Sequence, residues 1–336
     1  MGVSKAVLGE PAIARAMIQG GVKFIADSRI ENIQKMKAAG IRTQFVLLRT
    51  PLSHAEAVVK SVDISLNTEI ETLQRLSHFA KLHNRTHQVI IMIELGDLRE
   101  GILPKDLARF VRKALSLPHI EIAGIGCNLA CYGGIKPDER NMQELSRLFE
   151  NVEKEFQIHL KIVSGGNSAN HEWYTASPDV GKINNLRIGE SILLGCETVN
   201  RKAIPGLHTG AFTLIAEVLE SKKKPSLPYG EICQDAFGNV EHHQDRGTRQ
   251  RVILALGRQD ILVSSLISGN GVKILGSSSD HLILENETHS LEVGDEVRFN
   301  LGYGGLLAAM TSPFIKKQLI GDGTARWQPD ASGHSR

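Results

Sequence analysis

Gln88-Val-Ile-Ile-Met-Ile-Glu-Leu95, the helical period of Pro104–Ser116, and Ile120-Glu-Ile-Ala-Gly-Ile-Gly-Cys127 together form the stretch that decides the fold. The two outer runs are apolar almost throughout, as strands covered on both faces are. Between them Leu107, Val111, Ala114 and Leu115 recur at the three- and four-residue spacing of one helix face. Strand, crossover helix and strand make a parallel βαβ unit. The alternation continues in both directions. Upstream, runs at Gly2–Ala6, Phe24–Asp27, Gln44–Leu48 and Asp63–Leu66 alternate with helical segments at Pro11–Gly20, Ile30–Ala39, His54–Lys60 and Glu69–Asn84. Downstream, Glu139–Phe156 and a shorter piece at Asn170–Ala176 separate further runs at Leu160–Ser164 and Leu186–Leu194. Pro104 suits a first helical turn, and Gly20 and Gly40 suit C-terminal stops. Eight strands with intervening helices over about 200 residues predict an α/β fold, a (β/α)8 TIM-type barrel, with an open doubly wound sheet as the alternative.

After Arg201-Lys-Ala-Ile-Pro-Gly206 the helical periods vanish and strand-like runs separated by Gly, Asn and Ser take over. The boundaries predicted are a barrel domain at 1–203, a C-terminal all-β domain at 204–320 and a polar, disordered tail at 321–336. Strands in the second domain are expected at Phe212–Leu219, Arg251–Leu256, Val272–Leu275, Leu282–Glu285, Glu296–Leu301 and Phe314–Leu319, with Glu287–Asp295 as a turn-rich connection. No internal repeat is evident.

The composition suits such a domain pair. The 336 residues carry 39 Lys+Arg against 37 Asp+Glu, a net charge of +2, with 41% apolar residues. That balance speaks against nucleic-acid or anionic-membrane binding, which need a basic surface to displace counterions. It leaves small-molecule chemistry. No stretch reaches the roughly 18 consecutive apolar residues of a membrane span. Cys127, Cys131, Cys196 and Cys233 form no C-x-x-C pair, so a reducing, cytoplasmic compartment is expected.

In a (β/α)8 barrel the chemistry sits at the C-terminal strand ends, and polar residues collect at all of them here. They are Lys5; Asp27-Ser28-Arg29; Arg49; Asn67; Glu94 with Asp97 and Arg99; Asn128; Ser164-Gly-Gly-Asn-Ser168; and Arg187-Ile-Gly-Glu190. Any one of these alone would be ordinary loop polarity. Gly166, Asn167 and Ser168 before a helix offer backbone N–H groups and a hydroxyl to an anion. Arg187 and Gly189 add a fixed charge and a second close approach. Lys5, flanked by apolar residues, is either a snorkelling surface lysine or a desolvated amine able to form a Schiff base. Amine, anion seat and arginine together suggest pyridoxal phosphate.

These segments resemble the alanine racemase type of pyridoxal-phosphate enzyme (fold type III), and its ornithine racemase-like branch most. Val3-Ser-Lys5-Ala-Val is similar to the family's first barrel strand and assigns the Schiff-base lysine and catalytic base to Lys5. Ile93-Glu-Leu-Gly-Asp-Leu-Arg-Glu-Gly101 aligns Arg99 with the arginine near the cofactor's phenolic oxygen. Asn167-Ser168 is similar to the phosphate-binding serine segment. Leu186-Arg-Ile-Gly-Glu190 resembles the segment whose arginine faces the pyridine nitrogen and whose following amides hold phosphate, which places Arg187, Gly189 and Glu190 at the cofactor. Ala26-Asp-Ser-Arg-Ile-Glu-Asn32 and Ser278-Ser-Asp-His281 resemble the ornithine-type branch. The resemblance implies a homodimer, an amino-acid substrate and no metal.

The chain departs from the family at three places. The lysine is reached at residue 5, where the family has a preceding strand and helix, so an N-terminally shortened chain is expected. Gly257-Arg-Gln-Asp260 stands where the family's catalytic tyrosine segment falls, which leaves Cys131, Tyr132, Asp280 and His281 as candidates for the second acid–base group. Asn128 replaces the histidine that stacks on the cofactor ring. Because ornithine carries a second ammonium, Asp97, Glu100, Glu190 and Asp280 are the carboxylates expected to meet it. Two other functions fit the same architecture. One is a zinc-assisted D-amino-acid lyase, disfavoured because Asn300-Leu-Gly-Tyr-Gly304 lacks soft or imidazole ligands. The other is a non-catalytic pyridoxal-phosphate-binding protein, disfavoured by the second domain.

Overall fold

In the computed structural model, which describes residues 1–240, 244–269, 271–286 and 291–321, a first unit spans Met1–Leu207 and a second begins at His208. The first unit alternates β1 (Gly2–Val3), α1 (Pro11–Gln19), β2 (Phe24–Asp27), α2 (Ile30–Ala38), β3 (Gln44–Leu47), α3 (Ala55–Ser61), β4 (Ile64–Asn67) and α4 (Ile70–Leu82). It continues with β5 (His87–Ile93), α5 (Leu107–Leu115), β6 (Ile120–Cys127), α6 (Glu139–Phe156), β7 (Ile162–Ser164), α7 (His171–Ala176) and α8 (Glu190–Leu194). The strands pair in sequential order, all parallel.

The eighth position of the barrel is filled without a regular strand. Gly165 N–H donates to Asn185 O and Arg187 N–H to Gly166 O, each at 2.9 Å, on one side. On the other, Ile188 N–H reaches Met1 O at 2.9 Å and Val3 N–H reaches Ile188 O at 2.8 Å. These contacts join β7 to β1 through bridges at Asn185 and Ile188 and close the barrel. The expected strand Leu186–Leu194 is therefore corrected: Gly189 turns the chain into α8. The first strand is likewise shorter than Gly2–Ala6. Ser4 Oγ donates to Asp27 Oδ2 at 2.7 Å and Leu8 takes a left-handed φ of 52°, which rolls Lys5–Val7 into a 3-10 turn.

Val3, Ala26, Val46, Ile64, Leu66, Ile90 and Met92 meet inside the barrel. Strand alternation thus points these residues inward and their neighbours outward against the helices. The helices cover that outer face with apolar stripes: Leu107, Val111 and Ala114 on α5, and Met142, Leu145, Phe149 and Val152 on α6. The start of α6 is fixed by reciprocal bonds between Asp138 and Asn141.

The second unit is one six-stranded antiparallel sheet in the order β10-β13-β8-β9-β12-β11. Its strands are β8 (Thr213–Pro225), β9 (Thr248–Leu254), β10 (Leu266–Ser268), β11 (Val272–Ser277), β12 (Leu282–Asn286) and β13 (Glu296–Leu301). Leu214, Ala216 and Val218 alternate inward along β8. One expected strand is absent, and one strand and one helix were not foreseen. Phe314–Leu319 is not a strand, since Pro313 removes a donor and the segment pairs with nothing among the described residues. β10 is too short to give a sequence signal. Beside the sheet, α9 (Tyr303–Thr311) forms despite two glycines, burying Leu306 and Ala309. Of the Glu287–Asp295 connection, residues 287–290 lie outside the described residues, as does the expected tail beyond Gly321.

Candidate active site

Alternation along the strands decides which of the polar strand ends reach the mouth of the barrel. Asp27 and Asn67 follow the inward residues Ala26 and Leu66, so both side chains turn back toward the helix layer. Asn67 Nδ2 donates to Ser65 Oγ at 2.9 Å, and Ser65 Oγ lies 2.8 Å from His87 Nε2. Asp27 accepts from Ser4 Oγ, Arg29 N–H and Asn32 Nδ2, and burial nonetheless pushes its carboxyl up. These two ends support the wall and do not line the mouth.

Arg187 occupies the centre. Only 5% exposed, it donates to Ser164 Oγ at 2.6 Å, to Cys127 O at 2.7 Å and to Asn128 Oδ1 at 3.2 Å. Burial pushes its guanidinium down to about 10, with Arg99 acting in the same direction. Asn128 Oδ1 also accepts from Asn167 Nδ2 at 3.1 Å, and Asn167 Nδ2 reaches Leu129 O at 2.8 Å. The segments at the ends of β6, β7 and the closing strand are thereby tied into one network, with Asn128, Asn167 and Arg187 as its knots.

Beside that network lies a set of donors. Gly166, at φ +142°, could not carry a side chain, because a Cβ would fall 2.2 Å from Asn170 Oδ1. Ser168 Oγ, buried, accepts from Ser191 N–H at 3.2 Å and so joins the β7 loop to the first turn of α8. The amides of Gly166, Gly189 and Glu190 donate to no acceptor among the described residues. Free backbone donors around a buried hydroxyl, next to a fixed cation, suit a phosphate group. Lys5 stands at the end of β1, half-buried. Burial lowers its pKa first; Arg99 and Arg187 act the same way, and Cys131 and Asp27 oppose them. A lysine so placed holds more of the neutral, nucleophilic amine than one in water. The residues present therefore fit a cofactor that carries a phosphate and takes up an amine.

The remaining candidates divide. Asp97, 1% exposed, spends both carboxylate oxygens on the N–H groups of Cys131 and Tyr132, at 3.1 and 3.0 Å. It thereby clamps the loop after β6 and holds Cys131 near Lys5. Tyr132 projects into solvent, 77% exposed. Glu100 is gripped by Arg49 and Arg99, and Glu190 by Arg201. Asp97, Glu100 and Glu190 are thus committed within the protein, which corrects the expectation that they wait for a substrate ammonium. Asp280 and His281 belong to the second unit, where Asp280 accepts from Ser278 Oγ at 2.9 Å and faces His281 Nδ1 at 3.6 Å. Arg258 stacks 3.6 Å over the Phe237 ring and donates to Ser277 Oγ. Sequence reasoning missed Ser164 and the Cys127 carbonyl as partners of Arg187. The arginine and the strand end were both legible, but not the contact between them. Among the described residues no three His, Cys, Asp or Glu side chains converge, and no helix is long and apolar enough to cross a membrane.

Comparison with known proteins places this architecture. The family described as alanine racemase, N-terminal domain, matches residues 1–196. An ornithine racemase of Acetoanaerobium sticklandii is 43% identical over 95% of this chain and 91% of its own length. A lysine racemase of Thermotoga maritima is 38% identical over 94% of this chain and 90% of its own. The solved structure of an alanine racemase from Bacillus anthracis covers 96% of this chain and 88% of its own, with a TM-score of 0.69 at 17% identity, a likeness of fold. Strand order, barrel closure, donor set and these matches agree, and the chain belongs to the alanine racemase family as a pyridoxal-phosphate-dependent amino-acid racemase.

Proposed function

We propose that this protein interconverts the L and D forms of ornithine or a closely related basic amino acid. The observation that carries the reading is the juxtaposition of the half-buried Lys5 amine with the buried Arg187 and the free amides of Gly166, Gly189 and Glu190. The names of its two relatives narrow the substrate class.

Pyridoxal phosphate, when bound, supplies the electron sink that makes the substrate's Cα–H acidic. The chain's own residues do the rest. Lys5 Nζ would anchor the cofactor and then take the Cα proton on one face, while the second acid–base group delivers a proton to the other. Ser168 with the amides of Gly166, Gly189 and Glu190 would hold the phosphate. Arg187, locked by Ser164, Cys127 and Asn128, would donate to the ring nitrogen and keep a proton off it, because a permanently charged neighbour opposes a second positive charge. Arg99, its guanidinium held by Glu100, would donate to the phenolic oxygen, and Asn128 would help to fix Arg187 for its contact. The second acid–base group comes from among Cys131, Tyr132, Asp280 and His281. Cys131 is supported by its place near Lys5.

A homodimer is part of this reading, since the family resemblance pairs each barrel with a partner's β domain. A cytoplasmic location is supported by four free cysteines. Chiral chromatography after incubating the holoenzyme with L-ornithine, L-lysine and L-alanine tests the proposal. D-ornithine or D-lysine should accumulate well ahead of D-alanine. Production of D-alanine alone would refute the substrate assignment, and a lyase product would refute the reaction.

A further inference from the structure

β5 ends in a carboxylate that the roles above leave unused. Ile90 and Met92 both belong to the apolar cluster inside the barrel, and Glu94 is the next residue on that face, one step past the strand end. The chain stays extended there, because Glu94 N–H donates to Ile102 O at 3.0 Å and Ile93 bridges Ile102. Glu94 therefore sits above Met92 at the level of Asn128, on the inner side of the mouth. It is 9% exposed. One oxygen, Oε1, accepts the Gly96 N–H at 2.6 Å, which fixes the carboxylate's orientation. The other has no hydrogen bond or ion pair among the described residues, yet it is not sealed from solvent. A buried carboxylate with an open oxygen is an uncommon state, since burying charge without a partner is unfavourable.

Its neighbours sharpen the contrast. Asp97 is saturated by two backbone amides, Glu100 by two arginines, and Asp27 by Ser4, Asn32 and the Arg29 amide. Glu190 keeps one oxygen open, but its charge is met by Arg201 on the other. Among the described acids at the barrel mouth, Glu94 is the one that has both an open oxygen and no paired cation. No cation among the described residues pairs with it: Arg187 is held by Ser164 and Cys127, Arg99 by Glu100, and Lys5 makes no ion pair with it. The open oxygen is left to solvent and to a cation that enters from outside.

We infer that Glu94 is the specificity-determining residue that receives the side-chain ammonium of a basic amino-acid substrate. The inference rests on the proposed basic substrate and adds the group that recognises it. A carboxylate preset by the Gly96 amide loses no rotamer freedom on binding, and the ammonium supplies the donor that the second oxygen lacks. An uncharged side chain of the same length would leave that oxygen unpaired, so the site discriminates by charge as well as by size.

The test compares L-ornithine with L-norvaline, which has the same carbon chain and no terminal amine, on cofactor-loaded wild-type enzyme, Glu94→Gln and Glu94→Asp. Glu94→Gln keeps an oxygen for Gly96 and should lower kcat/KM for ornithine about 10- to 100-fold while leaving norvaline within about 2-fold. Glu94→Asp withdraws the carboxylate by one methylene and should raise the ratio of lysine to ornithine turnover. Equal losses on ornithine and norvaline, or no loss on either, would overturn the assignment. A wild-type enzyme that does not prefer ornithine or lysine over norvaline would instead refute the basic-substrate reading, and the role of Glu94 with it. A wild-type preference that survives in both variants would refute Glu94 alone. Cofactor retention and an unchanged Tm confirm that each variant is folded.

Discussion

Replacing Arg187 by methionine should separate its structural burden from its function. Burial lowers this guanidinium by some two to three pH units, to about 10. At about 1.4 kcal/mol per pH unit, the fold gives up about 3 kcal/mol to keep the charge inside. A cation whose folded pKa is depressed bears that penalty in full at every pH below about 10, hence at neutrality, and sheds it only as pH rises further. Against this stand the bonds it donates. Two acceptors keep other partners when it is removed: Ser164 Oγ still meets Asn185 Oδ1 at 2.9 Å, and Asn128 Oδ1 still accepts from Asn167. The Cys127 carbonyl is left without that donor, at about 1–3 kcal/mol. Methionine replaces much of the aliphatic stem and adapts to the gap. The opposing effects are of similar size, so Arg187→Met apoprotein should stay within about 2 kcal/mol of wild type in urea unfolding followed by circular dichroism. Racemisation should fall by at least about 10²-fold, as for loss of a positioned donor. Destabilisation beyond about 4 kcal/mol would mean that the arginine is chiefly structural. Near-normal turnover would mean that it does not touch the chemistry.

Three further outcomes follow from the same geometry. His87, buried against Ser65, is pushed down to about 4 by burial. Its neutral form therefore supports the fold fully above pH ~6.5, and stability is lost as pH falls from there through about 4, by up to roughly 3 kcal/mol; a His87→Gln variant should show a flatter pH–stability curve over that window, and an unchanged slope would contradict the reasoning. Gly166→Ala should lose cofactor binding by equilibrium dialysis, because its φ of +142° and the 2.2 Å approach to Asn170 Oδ1 admit no methyl group, whereas Gly189→Ala, whose Cβ would stand 3.3 Å from Val3 Cβ, should bind nearly normally. Equal affinities would refute the cradle. Asp97→Ala should free the amides of Cys131 and Tyr132, lower stability by about 2–4 kcal/mol and speed hydrogen exchange in the loop after β6; protection equal to wild type would show that no clamp exists.

The barrel was legible because its elements are long and their period unmistakable, as on β5, α5 and β6. Its closure was not. Asn185–Ile188 makes bridges rather than a strand, and the turn into α8 at Gly189 depends on contacts with β1 that no local pattern shows. In the second unit, Gly304 and Gly305 hid α9, whose stability comes from burying Leu306 and Ala309 rather than from helix propensity. At the site, Lys5, Ser168 and Arg187 stood out as unusual residue types at strand ends. The committed state of Asp97, Glu100 and Glu190 did not, because a carboxylate's partner is set by tertiary contacts. Glu94 was within reach, since alternation from Ile90 through Met92 already placed it inside. Its open oxygen became visible only once the other acids were seen to be paired.

The account turns on Lys5 as the anchoring amine. The most direct measurement is the visible absorbance of purified protein with pyridoxal phosphate, wild type beside Lys5→Ala, with chiral analysis of L-ornithine incubated in the same samples. The account predicts a visible band and D-ornithine in the wild type, and neither in the variant. A band of equal strength in Lys5→Ala, or D-ornithine formed without Lys5, would contradict it.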